Sequence, residues 1–161
     1  DRSVIDQIKD FEQTITFSGA GAQHQNGVAE RAIKTVCEAT RTIMLHAALR
    51  WPEAYDASLW PMAMQYAIDI LNEVPRGNLP ISPEEVFSSS VGTHSRLLNA
   101  RAWGCPAYVL EPKLRDNGKL PKWSPRTRRG QFLGFSPVHS STVGLIRNLR
   151  SGSITPQFHC V

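Results

Sequence analysis

The chain has 161 residues, 41% of them hydrophobic and 20% charged, with a formal net charge of +4. Its length suits one ordinary domain or two small ones, and its apolar content is enough to bury a core, so it reads as globular. No apolar run is long enough to span a bilayer, which leaves no ground for a membrane partner.

The polar start from Asp1 to Asp10 has neither the basic region nor the apolar region of a secretory signal. Cys37, Cys105 and Cys160 are odd in number and far apart, without zinc spacing, and are expected to be reduced, mostly buried thiols. Charge divides sharply by position. Residues 1–100 carry 8 Lys and Arg against 12 Asp and Glu, a balance of -4, whereas residues 101–161 carry 10 against 2, a balance of +8. The second half should therefore attract polyanions at long range, although solvated basic surfaces are also common.

Taken in chain order, Val4 to Phe17 joins a short amphipathic segment, VIDQIKDFEQ, to the β-prone TITFS. GAGAQHQNG supplies loop chemistry. From about Asn26 the pattern turns helical: Ala29, Ala32, Ile33, Val36, Thr40, Ile43 and Ala47 share one face, up to the break at Trp51 and Pro52. Pro61 suits the first turn of a second helix, MAMQYAIDILNEV, which is apolar nearly all round and should be well buried. SPEEVF reads as a short helix capped by Ser82 with Pro83 at its first position. Beyond Ala100 the runs AWGCPAYVL, GQFLGFS, VGLIRNL and SITPQFHCV predict a small antiparallel, barrel-like β unit. A boundary is expected near residues 90–100, where both secondary structure and charge switch.

Glu30 opens the long helix. On a helical wheel Lys34 lies about 40° and Arg41 about 20° from it, well away from the apolar stripe. Glu30 and Lys34 then form an ordinary (i, i+4) pair, worth about 0.3 to 0.5 kcal/mol, in a first turn that suits a carboxylate. The alternative is a metal-binding carboxylate with Lys34 and Arg41 holding phosphates along the same face. That alternative needs further carboxylates. A second basic group, Lys113, Arg115, Lys119, Lys122, Arg126, Arg128 and Arg129, surrounds Trp123 in an irregular segment. Its cations suit phosphates or plain solvation, and the indole is expected to anchor the loop onto the β unit rather than stack a base. His24, His139 and His159 show no ligand spacing.

HQNGVAERAIKTV is similar to the segment that holds the last glutamate of the catalytic triad in integrases of copia-type LTR retrotransposon polyproteins. WGCPAYVL, KLPKW, PRTRRGQFLGFS and GLIRNLRSGSITPQFH, in that order, resemble the stretch that follows in the same polyproteins. The resemblance implies an α+β chain: residues 1–75 as the C-terminal helical part of an RNase H-like catalytic core, 76–100 as a helical connection, and 101–161 as a small antiparallel SH3-like β-barrel of basic character.

It also implies Mg²⁺-dependent DNA strand transfer in the parent family, in which three carboxylates hold a metal pair. Only Glu30 maps onto that triad. The other two acids fall upstream of residue 1, and Asp1, Asp6 and Asp10 lack the family's surrounding residues and are expected in surface and turn roles. The chain thus reads as a fragment, inactive alone, that takes part in DNA integration through nucleic-acid binding. Asn26 and Gly27 match the loop beside the family's active site, and Lys34 matches a basic position one turn after the glutamate. Arg31 lies about 100° round the helix from Glu30. Arg126, Arg128 and Arg129, with Lys122, are the expected DNA backbone contacts. The implied partners are DNA and other integrase chains, in a nucleus or a virus-like particle. Two alternatives stay open: an active enzyme completed by carboxylates from another chain, and a domesticated interaction module that uses the SH3-like unit to bind protein.

Overall fold

The computed structural model describes residues 2–15, 17, 19–75, 77, 80–90, 95–115, 118–158 and 160; Asp1 and His159 lie outside the described residues. The chain divides into two compact units, Asp1–Thr35 and Val36–Val161.

In the first unit, α1 (Arg2–Asp10) ends before the left-handed Glu12, and Asp6 and Asp10 are exposed on it. Thr14, Ile15 and Phe17 form no strand, contrary to the β-prone reading of TITFS. Propensity alone does not make a strand, which needs a partner edge to satisfy its backbone. A 3₁₀ turn, Gln23–Asn26, then leads into α2 (Gly27–Arg50).

The second unit takes up the rest of α2. Its last backbone bond runs from Trp51 N–H to the Ala47 carbonyl at 2.9 Å, and Pro52, with no N–H, ends the helix. The 3₁₀ turns Pro52–Ala54 and Ala57–Leu59 follow, the second capped by Asp56, which accepts the Ser58 N–H at 3.0 Å. Helix α3 (Trp60–Glu73) carries Pro61 in its first turn as expected, and buries Ala63, Tyr66 and Ala67. It also buries Asp69 and Glu73, which its apolar pattern did not announce. Helix α4 (Pro83–Ser88) opens on a reciprocal cap: Ser82 Oγ accepts the Glu85 N–H at 3.2 Å, and Glu85 Oε2 accepts the Ser82 N–H at 2.7 Å. A short helix α5 (Ser95–Asn99) precedes the strands.

Strands β1 (Pro106–Leu110), β2 (Thr127–Phe135), β3 (Gly144–Asn148) and β4 (Ile154–Gln157) form one antiparallel sheet in sequence order, with α6 (Pro112–Arg115) in the β1–β2 connection. A further bridge pairs Val109 of β1 with Cys160, beyond β4, and so draws the two edges of the sheet together. The register shifts between Phe132 and Phe135, where Gly134 takes a φ of 121° and packs so tightly that a Cβ would lie 3.2 Å from the Tyr66 ring. Helices and sheet share one core. Tyr66 of α3 meets Phe132 edge-on and Phe135 at a tilt, with ring centroids 5.7 and 5.6 Å apart. Around them lie Ala47, Trp103, Val109, Leu133 and Ile146. The switch in secondary structure and charge near residue 100 is therefore no break in packing.

Ile43 packs against this core, and only the earlier part of the stripe on α2 stays open, with Ile33 64% exposed. Of the three cysteines, all free, Cys37 is exposed rather than buried, because it lies on the polar side of α2; Cys105 and Cys160 are half-buried.

Candidate nucleic-acid interface

The first group of candidate residues belongs to the first unit. The loop before α2 is tied to itself: Gly19 N–H donates to Gln25 Oε1 at 3.1 Å, and Ala22 N–H donates to the Gly19 carbonyl at 2.9 Å. Asn26 closes the 3₁₀ turn, and Gly27 begins the helix with nothing near the space a Cβ would fill. Glu30 stands in the first turn of α2, exposed, where the unpaired N–H groups favour a carboxylate. Arg31 and Lys34 are also exposed.

A divalent cation bound for chemistry needs several converging oxygen ligands. Among the described residues no group of three or more His, Cys, Asp or Glu side chains could hold a metal ion. A single exposed carboxylate leaves most of the charge of two Mg²⁺ ions uncompensated, so the described residues do not fit a two-metal centre.

The second unit holds the remaining candidates. Arg41 is exposed on the later part of α2. The connection from β1 to β2 is closed at its base, where Glu111 N–H donates to the Arg126 carbonyl at 3.0 Å. Within it Lys113, Lys119, Lys122 and Arg126 are exposed. Lys122 Nζ lies 5.1 Å from the centre of the Trp123 ring, and Trp123 is 89% exposed. The expected role of Trp123 as an anchor is thus wrong: its indole points into solvent.

Arg128 and Arg129 lie on strand β2, not in a loop, and so face opposite sides of the sheet. Arg128 pairs across to buried Val109 and is itself half-buried; Arg129 pairs across to the half-exposed Tyr108. Arg129 is moreover engaged by an acid, its Nη2 lying 2.6 Å from Glu53 Oε1. A parallel pair joins Arg147 of β3 to Asp56 at 2.8 Å. Both acids come from the segment between α2 and α3, so the acidic and basic halves of the chain partly neutralise each other. Hydrogen bonding from its own backbone N–H and then from Arg129 holds the Glu53 carboxyl below its ordinary range. Asp56 is held low by the Ser58 hydroxyl and backbone N–H, with Arg147 adding to them. These partners lie far apart in sequence, and no local pattern announces them.

Asp69 is a further polar group that the sequence reading passed over. It accepts from Gln65 at 3.1 Å and meets Arg96 at 3.2 Å, yet burial outweighs these partners and pushes its carboxyl up. A cavity of about 230 Å³ at one end of the sheet is lined by Arg101, Cys105, Phe135, Ser141 and Cys160, among others. Burial pushes both thiols up, against the pull of Arg101, so they stay protonated and poorly nucleophilic. His24 is exposed, and His139 shares a hydrogen bond with Ser136 Oγ at 2.7 Å. Among the described residues no helix is long and apolar enough to cross a membrane.

Comparison with known proteins gives similarity to transposon polyproteins. The chain is 30% identical over 120 residues to the retrovirus-related Pol polyprotein from transposon RE1 of Arabidopsis thaliana, a match covering 74% of the chain and 7% of that protein. It is 32% identical over 94 residues to the retrovirus-related Pol polyprotein from transposon TNT 1-94 of Nicotiana tabacum, covering 58% of the chain and 6% of the relative. The chain thus spans less than a tenth of the length of either. No protein-family model matches it, and no solved structure does. Over most of its own length, the chain is similar to a segment of retrotransposon Pol polyproteins.

Proposed function

We propose that the chain is part of a retrotransposon integrase and serves DNA integration by binding DNA, without cutting or joining it alone. In this reading residues 1–75 belong to an RNase H-like core, 76–100 connect, and 101–161 form an SH3-like domain. Glu30 would be the last carboxylate of a triad whose other two members the family places upstream in the same core. The observation that carries the reading is the exposed cationic loop between β1 and β2, with Lys113, Lys119, Lys122 and Arg126 in solvent. Similarity to Pol polyproteins supplies the context.

Of the cations first expected at DNA, Arg126 and Lys122 stay the principal backbone contacts. Arg129 has to leave Glu53 before it meets a phosphate, and Arg128 is half-buried. Asn26, Gly27, Arg31, Lys34 and Arg41 would contribute where the complete integrase carries the DNA past α2. Lysine and arginine bind phosphates without reading sequence, so affinity should be weak, non-specific and steeply dependent on salt.

Fluorescence anisotropy of the full chain with a labelled duplex tests this. With about three to four phosphates neutralised, log K should fall against log salt with a slope of about -3 to -4. Changing Lys119, Lys122 and Arg126 together to Ala should reduce that slope by up to about 3 with little loss of stability. No binding at low salt would remove the DNA assignment and leave the interaction-module alternative. Strand transfer or nuclease activity with Mg²⁺ that vanished in Glu30→Gln would show that the chain forms an active site, either alone or with further copies, and would overturn the claim of inactivity.

A further inference from the structure

Trp123 occupies the second central position of a hydrogen-bonded turn, in which Ser124 N–H donates to the Pro121 carbonyl at 3.0 Å. The turn stands just before the closure of the β1–β2 connection, where Glu111 N–H donates to the Arg126 carbonyl and Leu110 pairs with Thr127. The hydrogen-bonded turn and the closure beside it hold the Trp123 backbone, and its indole is 89% exposed. A lone exposed aromatic is ordinary. This one has the Lys122 ammonium 5.1 Å from its ring centre, and exposed Lys119 and Arg126 flank it along the loop. Flat apolar area beside positive charge matches a nucleotide, which joins a flat base to a phosphate. In a duplex the base faces are already covered by their neighbours. Apart from the terminal pairs, a duplex has no base face to offer the indole, whereas every unpaired base of a flexible strand does.

We propose that Trp123 is a stacking platform for an unpaired base, so that the basic segment 119–126 prefers single-stranded DNA to duplex. The proposal rests on the DNA-binding reading and sharpens it: the cations supply attraction common to both forms of DNA, and the indole supplies the discrimination.

The test uses the full chain with a labelled oligothymidylate and a blunt duplex of equal length, in anisotropy titrations at one low salt concentration. Wild type should bind the single strand several-fold more tightly. Trp123→Ala should weaken single-strand binding by about 5- to 100-fold while leaving duplex affinity and both salt slopes unchanged, and Trp123→Phe should keep most of the preference. An unchanged melting temperature is expected for both variants, because the side chain is in solvent. Equal affinity for the two DNA forms, or an equal loss on both in Trp123→Ala, overturns the stacking role and leaves DNA binding standing. Absence of binding to either form overturns both. Binding of a proline-rich peptide that depends on Trp123, with no such dependence for DNA, assigns the indole to a protein groove instead.

Discussion

The two units of the chain are built on different terms. In Val36–Val161 an aromatic cluster of Tyr66, Phe132 and Phe135 is sealed by Trp103, whose Nε1 donates to the Leu133 carbonyl at 3.1 Å. In Asp1–Thr35 the large apolar side chains Phe11, Phe17, Val28 and Ile33 are between 64% and 83% exposed. The carboxylate with a candidate catalytic role stands in the second kind of setting, and the candidate DNA loop projects from the first. A phosphate-binding surface needs only charge on a stable support, whereas an active site needs several groups held in place together. On the proposed reading, the first setting would support binding, and the second would need further groups before it could support a reaction.

The largest test of this difference is the core. Phe132→Ala should cost about 3 to 5 kcal/mol in urea denaturation, whereas Ile33→Ala should stay within about 0.5 kcal/mol of wild type. Comparable losses at the two sites would erase the distinction. Next comes a pair of glycines. Gly104 has a φ of 82°, and a Cβ there would lie 2.8 Å from that of Ala47, so Gly104→Ala should cost about 2 to 4 kcal/mol from overpacking and strain. Gly21, with a φ of 74° and open space around it, should lose only about 1 to 2 kcal/mol on the same change. Removing the reciprocal cap of α4 by Ser82→Ala should cost about 1 kcal/mol, read as a shift in melting temperature.

The smallest effect is that of the ion pairs on the sheet. Glu53 and Asp56 have carboxyls held low in the folded protein. Their contribution is present above the ordinary carboxylate range near pH 4 and is lost as pH falls through the lower folded values. Asp69 runs the other way, since its raised carboxyl takes a proton first and relieves a buried charge as the pH falls. Glu53→Gln should therefore lower the melting temperature slightly at pH 7 and low salt, with the difference shrinking in high salt and as the pH falls through the lowered carboxyl's range.

Much of the local architecture is legible in the sequence. Pro52, Pro61, Ser82 and Pro83 act through backbone chemistry within a few residues, and they set the ends of α2, α3 and α4 where expected. All four strands overlap the expected apolar runs, although β2 begins at Thr127, ahead of GQFLGFS, and so takes in Arg128 and Arg129. What stayed hidden depends on residues distant in sequence. The partner of Arg129 is Glu53 and that of Arg147 is Asp56, so a charge count by halves overstated the free positive charge. Trp123 looked like an anchor because indoles are usually covered, and a turn that holds it outward has no signature in composition. At the candidate site, the place of Glu30 in the first helical turn could be read directly, while the position of Arg128 and Arg129 inside a strand could not.

Strand β2 is buried continuously from Gly130 to Phe135, with α3 lying against it through Tyr66 and β1 and β3 pairing along its two edges. A wall common to two layers cannot be withdrawn from one without stripping the other. Melting should then be all-or-none across helices and sheet alike, giving a single calorimetric transition for Val36–Val161 in which neither layer survives as an intermediate. Severing the chain near residue 100 would leave Tyr66 on one piece and Phe132 on the other, each facing water, and the two pieces should regain structure only when mixed.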